Sequence, residues 1–426
     1  MLFYSLKENI KKITPGFIIR TYHYLLALIG AFAYGFPSGR ICVIGVTGTT
    51  GKSTVVAFIT KVLEESGAKV ASLSSVNFQI GREKWENRLK MTMPGRFQIQ
   101  KFLKRAADSN CSYCVLEVTS EGIKQYRHKF ISFDTAVFTN LSPEHIESHK
   151  GFENYREAKS KLFKQAKKVH VINLDDDNVP YFLKERAERK YGYTLNNKEA
   201  EGLSAVQGSL VSETRKGISF KVQDIIFKLD LLGRFNAYNA LASIATGLSQ
   251  GISLEQCQRA LEKIKKISGR MEIVTKDPFS VVVDYAHTPA ALEKVYKSLK
   301  RVGKGSKMVC VLGSCGGGRD KWKRPVMGEI ASRYCDDIIL TNEDPYDEDP
   351  WKIMSSVKEG IPPEKNVQEI LDRREAIKKS LELATPESIV VITGKGSEPW
   401  MCVAGGQKIP WDDREIVKEE FEKIRG

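Results

Sequence analysis

Cysteine is scarce in this sequence, which has eight cysteines among 426 residues. Cys111 and Cys114 are separated by two residues, but no second such pair or pair of histidines lies near them, so the spacing does not fit a zinc site. Cys42, Cys114 and Cys310 lie in apolar, strand-like runs, where cysteine behaves as a small hydrophobic residue. The pattern argues against a disulfide framework and is typical of a cytoplasmic protein.

Nucleic-acid-binding motifs and low-complexity segments are also missing, although the sequence is basic. It contains 66 lysines and arginines against 52 acidic residues, a net charge of +14. These basic residues are dispersed through helical stretches such as 161–168 and 186–190, as on solvated helix faces. We therefore expect no nucleic-acid partner, while nucleotide-type substrates and anionic lipid remain open. The length indicates two or three domains.

The first 40 residues lack a recognisable signal-peptide cleavage site, although residues 17–36 are nearly all apolar. The uninterrupted part, residues 24–36, is shorter than the roughly 20 residues that cross a bilayer. We expect a helix that either packs on the protein's own surface or makes peripheral membrane contact, since lysines precede it. Periodicity does not separate these two alternatives.

A glycine-rich turn follows the apolar run at 41–44. Residues 45–54 read Gly-Val-Thr-Gly-Thr-Thr-Gly-Lys-Ser-Thr, the order expected of a strand, a phosphate-binding turn and a helix. Backbone N–H groups in such a turn converge on phosphate oxygens, Lys52 can reach the terminal phosphates, and the hydroxyl of Ser53 or Thr54 can ligate Mg²⁺. Val46 replaces the first glycine of the strict motif, so the frame is Gly-x-x-Gly-x-x-Gly-Lys-Ser.

Strand-like and helical segments alternate after this turn. This alternation predicts a parallel sheet covered on both faces, with ligands at the carboxyl ends of its strands. The predicted strands are residues 40–45, 70–74, 113–118, 135–139, 169–173 and 191–194. The predicted helices are residues 54–66, 97–109, 151–166 and 179–190.

A second α/β series follows a hinge that we place near Ser268. Residues 203–230 alternate as a small antiparallel unit, a helical pair follows at 236–250 and 253–264, and four more strands are predicted after residue 270. We therefore predict an α/β fold with a P-loop, parallel-sheet central ATPase domain and a second, Rossmann-like C-terminal domain. The predicted boundaries are 1–38 for an apolar helical segment, 39–268 and 269–426.

Three residues of the first series are candidates for phosphate chemistry. Glu117 ends a buried strand beside the turn, where an acid can hold Mg²⁺. His145 and His149 are four residues apart, but Pro143 favours a loop over the helix that a zinc pair needs. By composition alone, Lys159 is one more surface lysine.

Several ordered segments resemble the Mur ligase family of ATP-dependent peptide-bond-forming enzymes. The resemblance extends from about residue 40 to the end and is greatest to members that add the third amino acid of the peptidoglycan stem peptide. The segments that carry it are residues 45–54, 117–127, 138–149, 232–242, 269–272, 284–289, 318–325, 394–398 and 411–415.

The resemblance implies a reaction in two steps, in which ATP phosphorylates an acceptor carboxylate and an amine then displaces the phosphate. The implied cofactors are ATP, Mg²⁺ at two sites and CO₂ as a lysine carbamate. The implied catalytic residues are Lys52, Glu117, His145 and Lys159. The implied metal ligands are Ser53, Glu117, His145 and Lys159. The implied ATP-binding residues are Gly48, Thr49, Thr50, Gly51, Lys52, Ser53, Thr54, Asn239, Arg270, Asp284 and His287.

The resemblance also implies partners, a muramoyl-peptide-type acceptor and a free amino acid. The implied acceptor contacts are Thr92, Thr119, Gln125 and Arg127, and those to the amino acid are Arg319, Gly394 and Glu398. In family members that use diaminopimelate, Asp-Asn-Pro-Arg occupies the specificity segment, but here Glu343, Asp344 and Tyr346 surround Pro345. The acids favour a cationic side chain such as that of L-lysine.

Two further departures from the family pattern limit which properties of the family can be expected of this sequence. Relatives that act on nucleotide-linked muramoyl peptides normally begin with a uridine-binding domain, and the residues before position 40 do not resemble one. The usual Ser-Ser-His after the metal-binding glutamate reads Thr119-Ser120-Glu121. Three alternatives therefore stay open: a ligase for another acceptor, as in folylpolyglutamate synthetase, one for a lipid-linked muropeptide, and a non-catalytic ATP-binding scaffold.

Overall fold

Two largely parallel β-sheets organise the computed structural model, which describes residues 14–89 and 91–425. The first sheet has the strand order β11-β10-β9-β8-β7-β6-β1-β5-β2-β3-β4. Its strands are β1 (Cys42–Thr47), β2 (Val70–Leu73), β3 (Asn77–Ile80), β4 (Glu83–Glu86), β5 (Tyr113–Glu117), β6 (Thr135–Phe138), β7 (Val169–Asn173), β8 (Arg189–Thr194), β9 (Ser204–Thr214), β10 (Gly217–Val222) and β11 (Ile225–Leu229).

The centre of this sheet is parallel, as the alternation predicted. Strand β1 lies between β5 and β6, with Ile44 opposite both Val115 and Thr135. Its residues Val43 to Thr47 are buried, which explains why it reads as a continuous apolar run instead of an alternating one. The carboxyl ends of β1, β5 and β6 therefore meet at one edge, where Thr47 leads into the glycine-rich turn.

The two ends of the first sheet differ from the prediction. Strands β9, β10 and β11 pair antiparallel as expected, but β9 also pairs with β8, so residues 203–230 extend the central sheet and are not a separate unit. At the other end, β3 and β4 form an antiparallel extension that the sequence analysis missed. Strand β4 is largely exposed and carries no apolar run that would have identified it.

Helices cover both faces of the first sheet. One core lies under α2, α8 and α9 and includes Phe58, Leu241 and Leu261, and a second lies under α3 and α6 and includes Leu103 and Leu162. The helices are α1 (Gly16–Ala33), α2 (Lys52–Glu65), α3 (Arg96–Asp108), α4 (Ser120–Lys124), α5 (Ile146–His149), α6 (Phe152–Gln165), α7 (Val179–Leu183), α8 (Phe235–Ser249) and α9 (Leu254–Glu262).

The predicted helix over residues 179–190 was too long. Helix α7 ends at Leu183, because the chain must be extended by Arg189, which pairs with Val169 of β7. The other three predicted helices and all six predicted strands of this part are present, with ends that differ by a few residues.

The second sheet has the order β12-β13-β17-β14-β15-β16, and only the edge strand β12 is antiparallel within it. Its strands are β12 (Glu272–Thr275), β13 (Ser280–Asp284), β14 (Met308–Leu312), β15 (Asp337–Leu340), β16 (Asn366–Glu369) and β17 (Ile389–Thr393), and a hairpin of β18 (Trp400–Val403) and β19 (Gln407–Pro410) follows. Its helices are α10 (Pro289–Gly303), α11 (Lys323–Tyr334), α12 (Pro350–Lys358), α13 (Arg373–Glu382) and α14 (Asp413–Arg425).

The α/β fold prediction, with a parallel P-loop sheet and a second Rossmann-like sheet, is thus confirmed. The boundaries at 38 and 268 stay a prediction. Cys310 on β14 is bonded to Cys335, which follows α11, a pairing that the sequence analysis did not predict. These residues lie 25 positions apart in sequence, and the return of the chain through α11 brings them together.

Helix α1 packs on α3 through Ala27, Gly30 and Ala31. A Cβ atom at Gly30 would lie 3.5 Å from the Arg96 carbonyl oxygen and from Phe97 Cα, so the two helices are in close contact. Among the described residues, α1 is the helix whose length and composition would permit a membrane crossing, with a mean hydropathy of 1.3 over 18 residues. Proximity to the N-terminus makes this weak evidence for a span.

Candidate active site

One cleft of 1440 Å³ lies at the carboxyl edge of the first sheet and is closed on its other side by the second sheet. Every candidate site residue named from the sequence lines this cleft except Gly48, which lies just behind its wall. Those that line it are Thr49, Thr50, Gly51, Lys52, Ser53, Thr54, Thr92, Glu117, Thr119, Gln125, Arg127, His145, Lys159, Asn239, Arg270, Asp284, His287, Arg319, Glu343, Asp344, Tyr346, Gly394 and Glu398.

The glycine-rich turn joins β1 to α2 and needs glycine at two positions. Gly48 has φ +152° and Gly51 has φ +82°. A Cβ atom at Gly48 would lie 1.9 Å from Thr139 Oγ1, and one at Gly51 would lie 2.5 Å from Asn239 Oδ1. The turn is therefore pressed against its neighbours. The N–H groups of Thr49 and Thr50 donate to Asn140 at 2.8 and 3.1 Å, while the amino end of α2 lines the cleft. This geometry suits an anionic phosphate.

Glu117 and Ser53 form an oxygen-rich pair at the start of α2. Ser53 Oγ donates to Glu117 Oε2 at 2.8 Å, and the Ser75 backbone N–H donates to the same oxygen at 2.9 Å. Lys52 Nζ lies 3.9 Å from Glu117 Oε1 and donates to the Thr49 carbonyl at 2.8 Å. Carboxylate and hydroxyl oxygens are the ligands that Mg²⁺ prefers. Ser75, at the carboxyl end of β2, was missed from the sequence.

Lys159 on α6 is buried, contrary to its reading as a surface lysine from composition. Its side chain is 2% exposed, its Nζ donates to the Gly48 carbonyl at 2.6 Å, and it lies 4.5 Å from the centre of the Tyr155 ring. Burial, and then the charge of Lys52, hold the pKa of Lys159 well below its usual range. The structure thus places an easily deprotonated amine directly behind the phosphate-binding turn.

His145 immediately precedes α5, the one-turn helix that replaces part of the predicted loop, and adopts a left-handed backbone conformation with φ +56°. Burial, and then the charge of Arg319, lower the pKa of His145 to about 2, so its imidazole is neutral at physiological pH. His149 lies on α5 with its Nε2 atom 3.4 Å from Glu121 Oε1. Within residues 14–89 and 91–425, no group of three or more histidine, cysteine or acidic side chains is arranged to hold a metal ion.

The second sheet holds the His145 segment in place through contacts that the sequence did not predict. Asp320 accepts hydrogen bonds from the backbone N–H groups of Ile146 and Glu147 at 3.0 and 3.1 Å, which caps α5. Lys323 donates to Glu144 Oε1 and to the His287 carbonyl, both at 3.0 Å. Because Lys323 and Glu144 are both buried, this ion pair fixes one wall of the cleft against the other.

Four further candidates surround the same turn. Arg270 Nη2 donates to Ser75 Oγ at 3.3 Å, so a guanidinium from the second sheet reaches the Glu117 cluster. Asp284 accepts from the Met271 and Ala286 N–H groups, both at 2.7 Å, and thereby shapes the segment that carries Arg270. Asn239 donates to Asn236, and His287 Nδ1 lies 2.8 Å from the Tyr285 carbonyl. Burial holds the pKa of His287 well below its usual range.

The candidate acceptor residues lie at the end of the cleft formed by α4 and the segment before α3. Thr119 caps α4 by accepting from the Gly122 N–H at 3.1 Å. Arg127 donates to Gln125 Oε1 at 2.8 Å and to the Met93 carbonyl. These bonds orient an amide and a guanidinium on one wall, a combination that suits an anionic peptide.

At the opposite end, Asp344, one of the two acids of the specificity segment, already has a partner. Lys395 contacts both Asp344 carboxylate oxygens at 2.9 Å and Glu398 Oε2 at 2.7 Å. Burial raises the pKa of Glu343 to about 7. The charge argument for a cationic amino acid therefore fails at Asp344, because Lys395, which the sequence analysis did not consider, neutralises that carboxylate.

Fold and cleft together define a P-loop protein in which two α/β sheets close on one anion-binding site. Residues 46–247 match the Mur ligase middle domain, and residues 269–396 match the Mur ligase, glutamate ligase domain. This chain belongs to the Mur ligase family.

Individual relatives agree with this assignment. The chain is 37% identical over 406 residues to a UDP-N-acetylmuramoyl-L-alanyl-D-glutamate–2,6-diaminopimelate ligase of Clostridium acetobutylicum, with 94% of this chain and 82% of that protein covered. It is 35% identical over 425 residues to a UDP-N-acetylmuramyl-tripeptide synthetase of Roseiflexus, with 94% and 82% covered. A solved diaminopimelate ligase structure matches with TM-score 0.61 and 31% identity, over 91% of this chain and 79% of that one.

Proposed function

We propose that this chain is an ATP-dependent ligase that joins an amino acid to the carboxylate of a muramoyl-dipeptide acceptor in peptidoglycan precursor synthesis. The observation that carries the proposal is the convergence in one cleft of a phosphate-binding turn, the Ser53–Glu117 pair, the buried Lys159 and Arg270 from the second sheet. Diaminopimelate ligases and a tripeptide synthetase among the relatives support the acceptor class. The predicted domains, 39–268 and 269–426, each contribute one wall.

In the first step, an acceptor carboxylate oxygen attacks the γ-phosphorus of ATP, the bond to the β,γ-bridging oxygen breaks, and ADP leaves. The turn from Gly48 to Thr54 and Lys52 hold the phosphates, while Asn239, Arg270, Asp284 and His287 form the rest of the nucleotide site. Lys52 and Arg270 offset the repulsion between two anions in one cleft. Thr92, Thr119, Gln125 and Arg127 orient the acceptor.

In the second step, the amine nitrogen of the amino acid attacks the carbon of the acyl phosphate, the nitrogen loses a proton, and inorganic phosphate leaves. Arg319, Gly394 and Glu398 are proposed to hold the amino acid, and Glu343, Asp344 and Tyr346 to read its side chain. Arg319 is the cation suited to the α-carboxylate. The shape of this end of the cleft determines which amino acid is added, and the screen of amino acids described below identifies it.

The residues present fit Mg²⁺ at two positions, of which the second requires a modified lysine. Ser53 and Glu117 supply two oxygen ligands for one ion. A second ion beside Glu117 and His145 fits only when Lys159 is carbamylated, since an ammonium group would repel it. The lone pair of Lys159 Nζ adds to CO₂ with loss of a proton, and the burial of this amine favours the neutral form that reacts. Bound Mg²⁺ would neutralise phosphate charge.

A folylpolyglutamate synthetase-like acceptor and a non-catalytic scaffold are the competing hypotheses. A scaffold has no use for a buried lysine beside the phosphate-binding turn, which disfavours it. The deciding experiment measures phosphate release from ATP with the standard amino acids and diaminopimelate. Each is paired with a UDP-muramoyl-dipeptide, with a lipid-linked muramoyl dipeptide, or with folate.

The proposal predicts phosphate release that requires both a muramoyl dipeptide and one amino acid. Phosphate release that requires folate and glutamate would show that the acceptor is folate and not a muramoyl dipeptide. ATP binding without phosphate release under every condition would support the non-catalytic scaffold. We also propose a cytoplasmic location with peripheral membrane contact through residues 17–36, for which the exposed apolar residues of α1 are the support.

A further inference from the structure

Helix α1 exposes a stripe of large apolar side chains, which we call the α1 stripe. Its members recur at intervals of three and four residues and therefore lie on one face of the helix. Their exposed fractions run from 46% to 78%. The stripe consists of Ile18, Tyr22, Leu25, Ile29 and Phe32. A helix on the surface of a soluble protein normally turns polar residues to water, so this face is suited to an apolar surrounding.

The opposite face of helix α1 is packed on the protein, and this packing determines the direction in which the α1 stripe points. Ala27, Gly30 and Ala31 are buried, and a Cβ atom at Gly30 would be in van der Waals contact with the backbone of α3. An 18-residue helix is about 27 Å long, close to the thickness of a hydrocarbon core. Because the second half of α1 is bound to the protein, we infer that the helix lies along a membrane surface instead of crossing it.

Charge favours an anionic bilayer as the occupant of this face. Arg20 lies within α1, and Lys7, Lys11 and Lys12 precede it in the sequence, while no acidic residue occurs between Asn9 and Ile41. An apolar stripe with flanking cations is the pattern of helices that bind anionic lipid surfaces. The net charge of +14 acts in the same direction.

Helix α1 adjoins the acceptor end of the cleft through Tyr24, which lies beside the stripe. The ring of Tyr24 lies 6.0 Å from that of Tyr126 and 5.2 Å from that of Phe130. Tyr126 stands between Gln125 and Arg127, both of which line the cleft. A molecule bound in the acceptor subsite therefore has the apolar helix as its neighbour.

Two arginines are close together near this end of the cleft: Arg127 lines it, and Arg96 begins α3, which packs on α1. Nε and Nη2 of Arg96 and Nε of Arg127 are buried and have no hydrogen-bond partner within the described part of the chain. The charge of Arg127, after burial, lowers the pKa of Arg96, and Tyr22 of the α1 stripe is close enough to act on it as well. Buried guanidinium N–H groups without acceptors are costly, and a phosphate group supplies the oxygens they lack.

Resting on the proposed function, we propose that the acceptor is a muramoyl peptide carried on a lipid diphosphate. The α1 stripe lies in the interface of an anionic bilayer, the diphosphate contacts Arg96 and Arg127, and the peptide reaches into the cleft. A nucleotide-linked acceptor offers the same diphosphate without the lipid, so the experiment must separate these two sources.

The first test measures binding to vesicles without turnover. Full-length protein is co-sedimented with vesicles of equal parts phosphatidylglycerol and phosphatidylcholine, and with phosphatidylcholine alone. We expect binding to the anionic vesicles, a loss of roughly tenfold or more in Leu25→Glu/Ile29→Glu, and full binding in Ile226→Glu, which changes an exposed residue of the edge strand β11. Equal binding of both variants, or no binding of the unchanged protein, overturns the proposal.

The second test compares kcat/KM for three acceptors: the dipeptide on a lipid diphosphate in these vesicles, the same dipeptide linked to UDP, and the muramoyl dipeptide without phosphate. We expect a preference of roughly tenfold or more for the lipid-linked form, which Leu25→Glu/Ile29→Glu abolishes and Ile226→Glu keeps. Arg96→Gln should raise KM for both diphosphate acceptors and leave the phosphate-free one unaffected.

The outcomes separate the two proposals. A preference for the UDP-linked acceptor, or an equal effect of Arg96→Gln on all three acceptors, overturns the lipid diphosphate while the ligase stands. No turnover of any acceptor overturns the ligase, and the binding test still decides whether α1 engages the bilayer.

Discussion

At the scale of single residues, burial decides the chemistry of the cleft. Lys159 and His145 lie in surroundings that disfavour their charged forms, and burial also raises the pKa of Glu343. The cleft therefore holds a neutral imidazole, an amine that gives up its proton easily and a carboxyl group that ionises only near neutral pH.

Lys159→Ala should abolish turnover while ATP still binds, because it removes the nitrogen that we propose to be carbamylated. We expect a loss on the order of 10²–10³-fold or more in phosphate release, with ATP affinity measured by titration calorimetry retained. Added bicarbonate should not rescue the variant. Lys161→Ala, an exposed lysine of the same helix, is the matched control, and normal turnover in Lys159→Ala would remove the carbamate from the mechanism.

Glu343 should make stability depend on pH between about 4.5 and 7. Its folded-state pKa of about 7 lies above its usual value of 4.5, so the folded protein retains a proton that the unfolded chain loses as pH rises. The contribution of Glu343 to stability is then greatest below pH 4.5 and is lost, by about 3 kcal/mol, across this window. Urea unfolding of the unchanged protein and of Glu343→Gln at both ends of the window measures the difference, and parallel pH profiles would refute the assignment.

At the scale of elements, one short segment joins the two sheets. Helix α5 is capped by Asp320, and the residue before His145, Glu144, pairs with Lys323 at the start of α11. A one-turn helix has little stability of its own, so these contacts from the second sheet hold it. His145 consequently takes its position from both halves of the protein.

Lys323→Met should destabilise the protein by about 3–5 kcal/mol, because it leaves the Glu144 carboxylate buried without its partner. Adding Glu144→Gln should recover part of this loss, since the unpaired charge is then gone. Denaturant unfolding of the two single variants and the double variant gives the coupling energy. Lys321→Met, two residues away and exposed, is the control, and additive effects of the two substitutions would show that the pair is not coupled.

The sequence was informative wherever local pattern decides structure. The turn at 45–54, the central strands and the second α/β series could all be predicted, since each rests on apolar runs and glycine positions that are close in sequence. What could not be predicted depends on distant partners. Lys395 neutralises Asp344, Ser75 joins the Glu117 cluster, and Cys335 meets Cys310, and each contact forms only after strands far apart in the chain are assembled.

At the scale of the whole molecule, the proposed subsites lie along one cleft. In the proposed function, the nucleotide would lie over α2 at the centre, the acceptor would enter beside α1 and α3, and the amino acid would come from the end near Lys395, all of which line or adjoin this cleft. This arrangement would place an acceptor carboxylate between the phosphate-binding turn and the incoming amine. The proposed membrane contact through α1 lies at the acceptor end and leaves the other two approaches open.

The central claim is that the acceptor carboxylate is activated by phosphorylation. The most direct test supplies a muramoyl dipeptide labelled with ¹⁸O in its reacting carboxylate, together with ATP and the amino acid identified by the screen. The account predicts that one ¹⁸O atom appears in the inorganic phosphate for each amide formed, as mass spectrometry of the phosphate would show. Amide formation with unlabelled phosphate would contradict it.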